Sequence, residues 1–157
     1  MFKFRTRRGF SLIELLIVIA IILIIVTVAL PKLNNATRFA HEAAAIKAIQ
    51  TIQTMQVQYN SQYGRFATSL TELGPPASGA ANVASADLID SSLAAGEKSG
   101  YKFSMIGNQS GYAISAVPVA YGNTGSRTFY SDQTMAIREN DGPNRQPPAV
   151  KKCSKSV

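Results

Sequence analysis

The chain has 157 residues, and its sixteen Lys and Arg against nine Asp and Glu give a net charge of +7. Lys3, Arg5, Arg7 and Arg8 supply four of those charges and Lys151, Lys152 and Lys155 three, while residues 10–150 are balanced, which argues against the broad basic face of a nucleic-acid binder. The length suits one domain, the single Cys153 excludes an intramolecular disulfide framework, and the single His41 excludes a His-rich metal site.

After the basic residues 1–9 comes an apolar run. From Leu15 to Leu30 only Thr27 is polar. Counted from Phe10, the run corresponds to roughly 30 Å of helix, the thickness of a bilayer's hydrocarbon core. Its β-branched residues would suit a buried strand, but its length decides for a helix. Pro31 removes one backbone donor, so a kink is expected near 27–31. The basic flank places the N-terminus in the cytoplasm by the positive-inside rule. A cleaved secretory signal has the same layout. Val28-Ala29-Leu30-Pro31 is a poor cleavage site, however, and Glu14 lies inside the apolar stretch, so a membrane anchor is the better reading. A carboxylate in hydrocarbon costs about 2.5–3.5 kcal/mol and calls for a partner; alternatively, Glu14 lies near the interface and reaches headgroups or water.

The segment Arg7-Arg8-Gly9-Phe10-Ser11-Leu12-Ile13-Glu14-Leu15-Leu16 resembles the type IV prepilin signal: a short basic leader ending in Gly, then Phe, then an apolar helix with Glu at its fifth position. The resemblance covers about 25 residues. It implies cleavage between Gly9 and Phe10 by a prepilin peptidase, N-methylation of the new Phe10 amine, and pairing of Glu14 with a Phe10 ammonium during assembly. A carboxylate costly alone in an apolar bundle is tolerable against a cation. The short leader and Phe10 resemble the type IVa and pseudopilin branch. The implied architecture is α+β, the type IV pilin fold: a long N-terminal helix, membrane-spanning in its first half, packed on a three- to four-stranded antiparallel sheet.

The residues after Pro31 predict a helical continuation over 32–63. Ala45, Ala48, Ile49, Ile52, Met55, Tyr59 and Tyr63 share one arc, with Lys32, Arg38, Glu42, Lys47, Gln50 and Gln53 elsewhere or at its margin, and Gly64 as the stop. Tyr59 and Tyr63 are expected as core packing. Residues 64–100 read as a surface loop region with short helical turns at Ser69–Leu73 and over Ala86–Ala95, the latter with Asp87 near its N-terminus. A sheet follows over 101–139, with strands at 101–106, 112–121, 128–130 and 134–138. Tyr101, Phe103 and Met105 alternate with polar neighbours, Pro118 suggests an edge or bulge, and Ser131-Asp132-Gln133 reads as a turn. The tail, 140–157, reads as exposed; Cys153 there lacks a partner in the chain.

No P-loop, metal cluster or nucleophile–base pair stands out, so no enzyme activity, cofactor or metal is expected. His41 reads as a surface or interface residue. Asp132, Glu139 and Asp141 do not have the spacing of an EF-hand calcium loop. The resemblance implies a structural subunit that waits in the inner membrane, N-terminus cytoplasmic, and is assembled by an inner-membrane platform with a cytoplasmic ATPase into a homo-oligomeric helical filament. That filament is either an extracellular pilus acting in adhesion, twitching or DNA uptake, or the periplasmic pseudopilus of a type II secretion system. The former is preferred for its longer 74–100 loop. A single-span anchor for a binding domain is the remaining alternative. DNA contact by Lys151, Lys152 and Lys155 falls if neutralising all three leaves affinity and its salt dependence unchanged.

Overall fold

The structure, a computed structural model, describes residues 9–108 and 110–142, with the backbone alone at 28–32. Leader residues 1–8 and the tail from 143, with Lys151, Lys152, Cys153 and Lys155, lie outside the described residues, as does the Pro31 side chain. The chain divides into two units, Met1–Ala36 and Thr37–Val157. One helix, α1 (Leu12–Tyr63), begins in the first and ends in the second, and its assignment is unbroken at Pro31.

In the first unit every large apolar side chain from Leu12 to Val26 is exposed. Thr27 satisfies itself locally, its hydroxyl donating to the Ile24 carbonyl oxygen at 2.8 Å. Among the described residues no helix is long and apolar enough to cross a membrane. The single span expected over 10–31 is therefore not found among the described residues, although α1 itself continues through that stretch.

The second unit carries the core. Ala45, Ala48, Ile49, Ile52 and Tyr59 are buried along one face of α1, with Met55 and Tyr63 partly buried against the same cluster, as the 3.6-residue period predicts. Helix α1 stops where Gly64 takes φ +71° and its amide donates to the Asn60 carbonyl oxygen, a conformation that costs glycine little. Two single-turn helices follow, α2 (Leu70–Leu73) and α3 (Ser91–Ala94). The second is shorter than the segment expected over Ala86–Ala95. Its cap is Asp90, whose carboxylate accepts from the Leu93 amide; Asp87 instead sits at φ +52°.

The sheet has five strands, one or two more than the alternation pattern predicts. They are β1 (Glu97–Lys98), β2 (Tyr101–Asn108), β3 (Gly111–Pro118), β4 (Arg127–Asp132) and β5 (Arg138–Asp141), in that spatial order with every neighbouring pair antiparallel. β1, with two residues, is too short to show a period, and β5 is the wholly polar Arg-Glu-Asn-Asp. Neither displays the apolar alternation that marks a half-buried strand. Pro118 is the final residue of β3, opposite Tyr101 of β2 and beyond the β3–β4 register, which stops at Ala116↔Phe129, so it is paired on one side only. Two placements differ in detail from expectation. Ser131 and Asp132 belong to β4, so the turn falls at Gln133–Thr134, and the expected strand at 134–138 gives way to β5, which extends to Asp141. Asp132 governs this shift, because one of its carboxylate oxygens accepts from the Thr134 amide (2.9 Å) and hydroxyl and closes the turn after it.

Tyr101, Phe103 and Met105 of β2, Tyr112, Ile114 and Ala116 of β3, and Phe129 of β4 form one cluster with the α1 stripe. Register produces this, since Phe103 lies opposite Ala116 and Ala116 opposite Phe129, Met105 opposite Ile114, and one sheet face therefore carries all of them. Gly107 is required by a close approach. A Cβ there would stand 2.3 Å from the Ala67 carbonyl oxygen, where its amide donates to the Thr68 carbonyl oxygen (3.1 Å).

Candidate functional site

The residues singled out by the sequence lie at the start of α1. Gly9 and Phe10 are exposed and outside regular structure. Nothing lies within 4 Å of where a Gly9 Cβ would be, and Phe10 exposes 83% of its surface. The peptide between them is thus unobstructed by the rest of the described chain, the condition a protease needs. The helix begins two residues later, with the Leu15 amide donating to the Ser11 carbonyl oxygen at 3.2 Å. Glu14 occupies the first turn and is exposed. Ser11-Leu12-Ile13-Glu14 also has the spacing of a capping box, and a first-turn carboxylate is favoured by the helix dipole and unpaired amides there. That physical reason for Glu14 is local to the helix and was not drawn from the sequence.

The second unit also buries polar side chains that no sequence pattern marks as buried. Glu42 and Gln53, expected at the margin of the α1 stripe, are buried, as is Gln56. Glu42 Oε1 accepts from the Ser126 amide (2.9 Å) and hydroxyl (3.0 Å), and Oε2 from Arg127 Nε (3.0 Å) and Nη2 (2.6 Å). Burial pushes the Glu42 carboxyl pKa up, but the bonds from Ser126 and Arg127 outweigh it and hold it below its ordinary value. Arg127 uses its remaining Nη1 on Glu139 Oε2 at 2.8 Å. Gln53 Nε2 donates to the Ser131 hydroxyl, which donates to the Ala136 carbonyl oxygen (3.1 Å). Gln56 accepts from the Ala67 amide (2.9 Å) and donates to its carbonyl oxygen (3.1 Å), pairing like a strand with the loop after α1. No periodicity signals such residues, since a polar side chain on an apolar arc looks like a defect until its partner is known.

The aromatic and acidic side chains of the loop region are likewise structural. The Tyr59 hydroxyl donates to the Val83 carbonyl oxygen (2.5 Å). Beside it, Glu72 accepts from Arg65 Nη1 (2.9 Å) and from the Thr68 amide and hydroxyl. Burial raises the Glu72 pKa, and those bonds bring it below its ordinary value. Asp90, held chiefly by Lys98 Nζ at 2.7 Å, is depressed to about 2. Tyr101, buried with its hydroxyl on the Arg127 carbonyl oxygen, is pushed up to about 12. His41 is half-buried. Of the three carboxylates considered for calcium, Asp132 closes its own turn and Glu139 pairs with Arg127. Among the described residues no group of three or more His, Cys, Asp or Glu could hold a metal ion.

Residues 4–30 match the family model described as the prokaryotic N-terminal methylation motif. The matched segment contains Gly9, Phe10 and Glu14, and it is the class III signal of type IV pilins and pseudopilins. Comparison with curated proteins and with solved structures finds no match to the chain.

Proposed function

We propose that the chain is the precursor of a structural subunit of a type IV pilus filament. Prepilin peptidase cuts it between Gly9 and Phe10 and the Phe10 amine is N-methylated. The observation that carries this reading is the methylation motif at residues 4–30, with its junction exposed ahead of α1. Before assembly, 10–31 serves as the single membrane span, N-terminus cytoplasmic. During assembly Glu14 pairs with a Phe10 ammonium, its own or a neighbour's, which offsets the desolvation of both charges and sets the register, since a one-turn slip would strand each without a partner. Exchange of lipid for neighbouring apolar helices is nearly neutral in hydrophobic terms, so the work of extraction comes from an assembly platform with its cytoplasmic ATPase. The α+β second unit then takes the role of a pilin-type head domain.

Intact-mass measurement and N-terminal sequencing of filaments sheared from the cell surface test the proposal. A chain beginning at N-methyl-Phe10 in those filaments is the expected result. The same processed chain found only in the envelope would assign it to a secretion pseudopilus instead. A Met1 terminus would leave a plain membrane anchor and overturn the mechanism.

A further inference from the structure

Strand β5 contributes no buried side chain to the core, whereas β2, β3 and β4 supply Phe103, Ile114 and Phe129. Its holds are few. It pairs with β4 from Arg127↔Asp141 to Tyr130↔Arg138, the Thr128 hydroxyl donates to the Asn140 carbonyl oxygen at 3.3 Å, and Arg127 Nη1 reaches Glu139 at 2.8 Å. The guanidinium does not depend on β5 for its position, because buried Glu42 fixes it through Nε and Nη2. The connection ahead of β5 is held along its length, by the Thr134 amide and hydroxyl on the Asp132 carboxylate, the Met135 amide on the Asp132 carbonyl oxygen (2.9 Å), Ser131 on the Ala136 carbonyl, and partly buried Ile137. These holds end at Ile137, while Met135 within them sits half-exposed at φ +61°, a left-handed conformation that strains a side-chain-bearing residue.

We infer that β5 is a detachable edge strand latched by Arg127 on Glu139, opening beyond Ile137 while the connection, β1–β4 and the Glu42–Arg127 pair stay formed. A strand with no core side chain adds little to the cooperative unit, so it opens locally below the free energy of global unfolding. Opening makes β4 the edge of the sheet. This device is independent of the N-terminal processing.

Native-state hydrogen exchange on the full chain in detergent micelles tests it. Amides of 138–141, and those of β4 that pair with them, are expected to exchange faster than the β2–β3 amides. Glu139→Gln should accelerate only the former, by roughly two- to fivefold, the worth of one exposed ion pair. Added salt should accelerate them likewise in the parent chain and by less in Glu139→Gln, where only the attraction of Arg138 to Asp132 is left to screen. Equal rates in β5 and β2–β3, or a uniform response of all strands to Glu139→Gln, or an undiminished salt acceleration in the variant, would each overturn the latch.

Discussion

Ile19 and Ile52 lie on one helix, yet Ile19 exposes 50% of its surface and Ile52 none. Around Ile19 the apolar residues face outward on every side of α1, and the described chain covers none of them. Around Ile52 the same residue types narrow to one stripe, and the sheet of the same chain buries it. Burying such a side chain is worth about 1.5–3 kcal/mol. The second half of α1 gains that on folding; the first half gains nothing comparable from the described chain. Charge follows the same division. Glu14 is exposed, while Glu42 is buried on four donors, two of them from Arg127.

The largest break in this contrast should come from Glu42→Ala. It leaves Arg127 Nε and Nη2 and the Ser126 donors without their acceptor, and about 3 kcal/mol of stability should be lost, read as the urea midpoint of the full chain in detergent micelles. Glu14→Ala, the same change on the same helix, should stay within about 0.5 kcal/mol. Equal effects would show that Glu42 does not tie α1 to the β3–β4 connection. Next, Ile52→Ala should cost about 2–5 kcal/mol for the cavity it leaves, and Ile19→Ala almost nothing in the same titration; a matching loss at Ile19 would mean that the first half is packed after all.

Acid provides a smaller and reversible test. Glu42 and Glu72 both titrate below their ordinary value of 4.5 when folded. The stability they contribute is therefore complete above the unfolded value and is lost as pH falls through the folded ones. Unfolding midpoints should drop with acid below about pH 4.5, less steeply in Glu42→Gln; an unchanged slope in the variant would remove Glu42 as a source. Asp90→Ala should cost about 1 kcal/mol by removing the cap of α3, visible as faster amide exchange at Leu93, and a protected Leu93 amide would argue against the cap. The subtlest expected effect is at Pro31, where the helix lacks a backbone donor. On the proposed function, Pro31→Ala filaments should form but stretch differently under force, and equal extensibility would dismiss Pro31 as a soft point.

Much of this was readable from single residues. The apolar arc from Ala45 to Tyr63 follows the helical period, Gly64 marks its end, and Tyr101, Phe103 and Met105 alternate as a half-buried strand must, because each pattern is local and repeats. The methylation motif was legible for the same reason: Gly9, Phe10 and Glu14 sit within six residues of one another. Glu42, Gln53 and Gln56 were not, since their partners lie 84, 78 and 11 residues away. The turn after β4 was misplaced because Asp132 closes it from within the strand.

The sequence by itself determined the apolar N-terminal helix, the methylation motif at its start, the stripe and the central strands, each encoded by neighbours at a fixed spacing. Only the tertiary structure decided which polar residues could be buried and how many strands the sheet would hold. A buried carboxylate or amide is stable only where folding brings its donors and acceptors to it. Strands as short or as polar as β1 and β5 form because a neighbouring strand offers an edge, with no pattern of their own to announce them.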